Sequence, residues 1–278
     1  MDFLQFAESH GVLIPGAPLL HRWVRVPTVD HPRKKNGAYI FDGQSGAVMN
    51  WAVHTSPITF RQEGEFKPDP LAAQRREEAA KQLLQRREDA GKKAAWIMSQ
   101  ARPGHHPYLE RKGFPGEFGH VWNGLLVIPM RVSGQLVGCQ LIDQDGGKKF
   151  LSGQVTKGAQ AIFDGKGPDL VCEGYATALS VRRVMRLLGR PYRIRVAFSA
   201  GNLEVVAKIP CLVIADNDAA GLKAARASQN PFWASDVPGE DFNDVERRLG
   251  TEDLAVIFGR CLDAAVSHNL YKPLQKYS

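Results

Sequence analysis

Cysteine is scarce in this chain. Only four occur in 278 residues, at Cys139, Cys172, Cys211 and Cys261, far apart, and the first three lie inside apolar, strand-like runs. Such spacing excludes both a zinc knuckle and a disulfide framework, and it is what buried small hydrophobes in a reducing compartment look like. Long apolar runs are missing too. No stretch approaches the roughly 20 residues a membrane helix needs, and the opening MDFLQFAESHG lacks the basic-then-apolar order of a signal peptide. The expectation is a cytoplasmic protein with no membrane contact. There is no G-x-x-x-x-G-K-[ST] nucleotide loop, which excludes the usual ATP-driven motor, and no internal repeat or low-complexity tract. Acid is in deficit: 36 Lys plus Arg face 29 Asp plus Glu, a formal charge of +7 that favours a polyanionic partner.

What is present fits two compact domains, with 44% hydrophobic and 23% charged residues. Short alternating runs, RWVRVP at 22–27 and AYIFDG at 38–43, flank the turn-forming HPRKKNG at 31–37 and predict small β-hairpins. From about Pro70 to Gln100, Leu71, Leu83, Leu84, Trp96 and Ile97 stand among Ala, Arg and Glu, predicting a helix interrupted at Gly91 with a solvated face of mixed charge. GLLVIPMRV and SGQLVGCQLIDQDGG predict two antiparallel strands joined at Ser133 and Gly134. The rhythm then changes to DLVCEG, YATALSVRRVMRLLG, RIRVAFSAG, CLVIADND and AAGLKAARA. Apolar strands alternating with amphipathic helices predict a parallel sheet covered on both faces.

The strongest chemical signal is LVIADNDAAG at 212–221. Residues two apart on an extended strand share a side, so Asp216 and Asp218 are expected to project together from the carboxyl edge of the sheet. Two close carboxylates repel and are held above their usual pKa unless a cation sits between them, and hard oxygen ligands of this type suit Mg²⁺, with Mn²⁺ as the alternative. The competing reading has Asp216 capping the next helix and Asp218 as a solvated first-turn acid. A second strand, DLVCEG, ends in Glu173 and Gly174 ahead of another helix, so Glu173 is a further metal ligand or proton acceptor, or else a helix N-terminal carboxylate. Asp241 and Asp244 in GEDFND, with Asn243 between them, add anions near that edge or form an Asx turn and helix cap. Lys148, Lys149 and Lys157 in KKFLSGQVTKGA sit among Gly and Ser where a loop reaches phosphates. Arg102, Tyr108, Arg111 and Lys112 around HPYLERKGF offer charge and a stacking ring to a nucleic-acid strand, whereas Leu109 reads as core.

Glu-Gly after one strand and Asp-x-Asp-x-x-Gly after a later one resembles the Toprim domain of bacterial-type primases, topoisomerases and some nucleases. EGYATALSV, FSAGNL at 198–203, IADNDAAGLKAA and PGEDFNDV at 238–245 resemble the primase branch of phage and plasmid replication proteins, over roughly residues 105–250. The resemblance implies an α/β fold: a Toprim-type parallel sheet flanked by helices over 166–278, an α+β primase-like subdomain over 69–165, and a small β-rich, zinc-ribbon-like region over 1–68. It implies synthesis of short RNA primers on single-stranded DNA from nucleoside triphosphates, with a separate replicative helicase as a candidate partner. Glu173, Asp216 and Asp218 would be catalytic and, with Asp241, hold the metal. Lys148, Lys149, Lys157, Gly174, Asn202, Gly221 and Asp244 would contact nucleotide or phosphate, and Arg102, Tyr108, Arg111 and Lys112 the DNA. ARASQNPFWASDV is short for a full helix plus strand, a departure from the pattern. No cysteine precedes Cys139, and His21, His31 and His54 alone cannot supply four ligands, so no zinc is expected. Any nucleic-acid contact there falls to Arg22, Trp23, Arg25, Arg33, Lys34, Lys35 and Trp51. The rival functions are a Toprim nuclease or topoisomerase and a non-catalytic module that binds DNA or a replication protein.

Overall fold

The computed structural model describes residues 1–62, 72–163 and 165–267. Two compact units divide the chain, Met1–Arg76 and Glu77–Ser278. Among the described residues the architecture is mixed α/β, with three sheets and eight helices.

The first unit opens with helix α1 (Phe3–Ser9), held at its start by a capping box between Asp2 and Gln5. Strands β1 (Val24–Val26), β2 (Gly37–Phe41), β3 (Ser45–Asn50) and β4 (Ile58–Arg61) then form an antiparallel sheet in sequential order. Its register aligns Val24, Tyr39, Val48 and Ile58 across the four strands. This row, with Val26 and Phe60, packs against Phe3 and Ala7 of α1. Phe3 stacks on Phe41 at 4.1 Å between ring centres. Each such buried ring stabilises the unit by roughly 1.5–3 kcal/mol.

In the second unit, helix α2 (Ala72–Gln100) runs without the expected break at Gly91. A lone Gly costs about 1 kcal/mol in a helix, and burial of Ala94 and Ile97 against Val127, Cys139 and Leu151 offsets it. Pro70 and Leu71, expected at the start of that helix, lie outside the described residues. An antiparallel sheet follows in the order β5 (Arg102–Gly104), β6 (Gly119–Trp122), β7 (Leu125–Val132), β8 (Gln135–Ile142) and β9 (Lys148–Phe150), with the short helix α3 (Pro107–Arg111) inserted after β5. The β7–β8 turn falls at Ser133 and Gly134, where φ is +48° and +83°. That is the left-handed pair a two-residue hairpin loop requires.

The remaining chain comprises β10 (Ala161–Phe163), β11 (Asp169–Cys172), α4 (Tyr175–Leu187), β12 (Arg193–Val196), α5 (Ala200–Val206), β13 (Leu212–Ile214), α6 (Ala219–Ala227), β14 (Phe232–Trp233), α7 (Phe242–Leu249) and α8 (Thr251–Ser267). The sheet order is β10-β12-β11-β13-β14. β12, β11, β13 and β14 are parallel, while β10 joins the edge antiparallel to β12. The alternation of apolar strands and helices signalled the parallel strands; β10 carries no such signal because it arrives from the preceding hairpin layer without a crossover helix. Leu170, Cys172, Leu212 and Ile214 face α4, α7 and α8. Val171 and Val213 face the opposite side with α5 and α6. Burial on both faces explains why these strands read as unbroken apolar runs. The first of these cores continues through Tyr108, Leu109, Leu126, Ile128 and Met130, so the antiparallel layer and the parallel sheet share it. Cys139, Cys172 and Cys211 are buried free thiols. No helix among the described residues is long and apolar enough to cross a membrane.

Candidate functional site

Strands β11 and β13 are parallel neighbours with Cys172 opposite Ile214, so the chain leaves both at the same carboxyl edge. Glu173 follows β11 directly. Gly174 then starts α4 with extended backbone and no side-chain cap, and its missing Cβ would stand 3.2 Å from Thr177 Oγ1. β13 ends at Ile214, which puts Asp216 and Asp218 in the turn beyond it rather than on the strand. Their proximity comes from this turn and not from strand alternation. Asp218, not Asp216, caps α6, accepting the Gly221 N–H at 2.6 Å. Gly221 is dictated by contact: a Cβ there would lie 2.4 Å from the Asp216 carbonyl oxygen. Asp241 caps α7 in a reciprocal box with Asp244, the two backbone N–H bonds measuring 2.8 and 3.2 Å. Phe198, after β12, adopts φ +68° and donates its N–H to the Glu173 carbonyl at 2.9 Å. A left-handed phenylalanine beside the acids is the local strain that functional sites tolerate.

These acids act on one another. Burial pushes the Asp216 carboxyl up from 3.8 to about 7, the charges of Asp241, Glu173 and Asp218 push the same way, and Lys148 opposes them. Glu173 is raised by burial and by Asp218, again with Lys148 opposing. Asp216 Oδ1 is buried and has no hydrogen-bond partner. A buried, unpartnered carboxylate oxygen in a field of three further carboxylates is a position that costs free energy until a cation reaches it. The donors are hard oxygens, which match Mg²⁺ or Mn²⁺ and exclude a soft-metal preference. Among the described residues no three His, Cys, Asp or Glu side chains stand at ligating spacing. Asp218 and Asp241 are instead turned onto their own helix starts, which relieves mutual repulsion.

Beside the acids opens a cleft of about 690 Å³ lined by Tyr108, Glu110, Arg111, Lys112, Asp145, Gly146, Lys148 and Arg247. Lys112 Nζ lies 3.9 Å from Asp241 Oδ2 and 3.8 Å from Asp244 Oδ1. The cleft thus joins four cations to the acidic edge. Tyr108 is nearly buried, and its hydroxyl is pushed up to about 12 by burial and by Asp241. Arg247 escaped the sequence reading, although its place three residues after Asp244 puts the two on one helical face. Glu110, Asp145 and Gly146 escaped it too, and no local pattern marks them.

Other expected residues stand elsewhere. Lys149 follows Lys148 on β9 instead of in a loop, and strand alternation turns it away from the cleft that Lys148 lines. Arg102 donates to the Ser99 and Ala101 carbonyls at 3.2 and 3.4 Å, closing the end of α2. Asn202 is buried. Its Oδ1 accepts from Gly158 N–H at 2.6 Å, and its Nδ2 donates to the Ala159 and Ala197 carbonyls at 2.7 and 2.8 Å. With both amide atoms engaged, Asn202 ties the loop carrying Lys157 to the end of β12. Lys157 is exposed beside this anchor and outside the cleft lining.

A buried polar chain supports the cleft from behind. Asn243 Nδ2 donates to the Lys112 carbonyl at 2.9 Å and to Ser180 Oγ at 3.0 Å, and Ser180 in turn donates to Glu246. Arg183 stacks on the Phe114 ring at 4.3 Å and donates to the Gly113 carbonyl at 2.8 Å. The segment bearing Arg111 and Lys112 is thereby pinned to α4 and α7. No protein-family model matches the chain.

Proposed function

We propose that this chain is a primase-type nucleotidyltransferase whose second unit is a Toprim-like catalytic region acting on nucleoside triphosphates and single-stranded DNA. The observation that carries the reading is the buried, unpartnered Asp216 Oδ1 amid Glu173, Asp218 and Asp241. Parallel strands with Glu173 after one and Asp216 and Asp218 after its neighbour support the same reading. Asp216, Asp218 and Asp241 would hold Mg²⁺, which when bound neutralises triphosphate charge and acidifies the attacking hydroxyl. Arg111, Lys112, Lys148 and Arg247 bind phosphate oxygens in the cleft. Lys112, already balanced between Asp241 and Asp244, keeps that edge from excluding a polyanion. Glu173 takes the proton from the 3′-hydroxyl at its carboxylate oxygen, a role suited to a carboxyl held above its ordinary range.

The test is incubation of the purified chain with single-stranded DNA, labelled ribonucleotides and Mg²⁺, alongside Asp216→Ala and Asp218→Ala. Short RNA from the parent protein and none from the variants is expected. Nicked DNA without synthesis would transfer the same site to a nuclease. DNA binding with neither product would make the chain a non-catalytic module.

A further inference from the structure

A second group of cations stands outside the cleft, on helix α4. Leu179, Arg182, Arg183 and Arg186 fall at i, i+3, i+4 and i+7, the spacing that aligns side chains along one face of a helix. With Glu117 they line a concavity of about 210 Å³ floored by the buried Phe114 and Leu179, and this lining shares no residue with that of the cleft beside the acids. Like charges three and four residues apart on a helix repel. Other arginines of the unit answer their charge with a carboxylate, as Arg195 does with Asp169, Arg248 with Glu240 and Arg190 with Asp263. Here three guanidiniums face one carboxylate in the lining, Glu117. Glu246 stands 3.5 Å from Arg183 Nη1, but it is buried and also accepts from Ser180 and Thr251. Three cations against these two acids still leave the place positive.

Each guanidinium is held by groups that use only part of it. Arg182, 15% exposed, lies over the Phe163 ring at 5.0 Å and donates from Nη2 to Glu117. Arg183, over the Phe114 ring, donates from Nη2 to the Gly113 carbonyl. Arg186 donates from Nε to the Tyr192 hydroxyl at 3.2 Å, and among the described residues its two Nη groups have no partner. A guanidinium has five N–H donors, so most of those around the concavity are still to be used. Planes already fixed lose little freedom when they bind, and forked N–H pairs match phosphate oxygens. Size narrows the ligand further. The volume falls below the roughly 300–1,000 Å³ of pockets that enclose drug-sized molecules. It admits a phosphoryl or pyrophosphoryl group without a base and ribose. Phosphates inside a nucleic-acid strand carry one charge each, whereas a terminal phosphate carries nearly two at neutral pH.

We propose that Arg182, Arg183 and Arg186 form a binding site for a phosphate-class dianion, met as free phosphate or pyrophosphate or as the terminal phosphate of a nucleotide. The proposal rests on no step of the function proposed above and on no metal, so its test is run in EDTA. Isotope-labelled full-length protein is titrated with phosphate, pyrophosphate and ATP, with amide NMR shifts at residues 113–117 and 182–187 as the readout. Sodium chloride at matched ionic strength is the control, and circular dichroism melting checks folding. Saturable shifts at these residues are expected. Arg186→Ala should weaken binding about tenfold, as loss of one hydrogen-bonding group in a charged pair implies, and Arg186→Lys should lose less because it keeps the charge. Glu117→Gln removes the carboxylate that competes for Arg182 and should tighten binding several-fold, the opposite of what a loosened loop would do. Arg247→Ala, in the other cleft, should leave the shifts and their midpoint in place. Tighter binding of ATP than of pyrophosphate assigns the ligand as a nucleotide's terminal phosphate, and the reverse order assigns the free ion. The proposal is overturned by shifts that chloride reproduces, by no saturable shift at millimolar anion, by unchanged affinity in well-folded Arg186→Ala, or by displacement of the anion by an equal concentration of (dT)15. Anion binding that depends on Arg186 in a protein that makes no primer would uphold this site while removing the primase reading.

Discussion

Neutralising Asp216 is expected to stabilise the metal-free protein, against the usual outcome for a semi-buried polar position. In the folded chain this carboxyl is held at about 7 instead of 3.8. The penalty on the folded state is therefore absent below pH 4, grows as pH rises between those values, and is complete above pH 7. At 1.36 kcal/mol per tenfold change in proton affinity the upper bound is on the order of 4 kcal/mol, and solvent reaching a half-buried group reduces this to roughly 2–3 kcal/mol. Asp216→Asn keeps the shape, removes the charge, and places an amide donor among the carboxylates of Glu173, Asp218 and Asp241. For a unit of this size such a gain corresponds to a melting point about 5–10 °C higher. The assay is thermal melting of both proteins in EDTA at pH 5 and pH 8, repeated at pH 8 with millimolar Mg²⁺. A gain at pH 8 that shrinks toward pH 5 is expected, and Mg²⁺ should raise the melting point of the parent protein while leaving the variant nearly unmoved. A variant less stable than its parent at pH 8 in EDTA, or equally stabilised at pH 5, would refute the electrostatic reasoning.

Gly221→Ala drives a Cβ into the Asp216 carbonyl, 2.4 Å away, and should abolish primer synthesis in the assay above while costing about 1–3 kcal/mol in urea denaturation. Arg247→Ala removes a cation from the cleft without touching the acids, so a steady-state assay should show the KM for nucleotide rising about tenfold with kcat little changed. Asn202→Ala releases the loop of Lys157 and leaves the Gly158 N–H without its acceptor; a loss of about 2–3 kcal/mol in denaturation is expected, with faster amide exchange at residues 157–159.

Much of the frame was legible from residue order alone. Period-two and unbroken apolar runs marked the strands, and Ser133-Gly134 marked a hairpin because a two-residue turn needs two left-handed residues. Glu173 and Asp216 could be assigned to one sheet edge because each follows an apolar strand and precedes a helix. Within the site, local pattern misled wherever a nearby backbone group competed for a side chain. Asp218 satisfied the first turn of α6, Arg102 the end of α2, and Asn202 two backbone groups of a distant loop and one at the end of β12. Gly91 shows the same limit for helices: its intrinsic cost was visible, and the burial that outweighs it was not.

Residue order by itself determined the strand–helix alternation, the basic charge, the lack of cysteine ligands in the amino-terminal region, and the presence of acids at two strand ends, since each depends on neighbours a few positions apart. Only the tertiary structure decided that Asp216 Oδ1 is buried without a partner and that Arg247 and Lys148 share a cleft with Lys112. Those properties depend on which side chains approach across 25 to 135 residues of chain, and burial, the term that sets both charge and exposure, has no local signature.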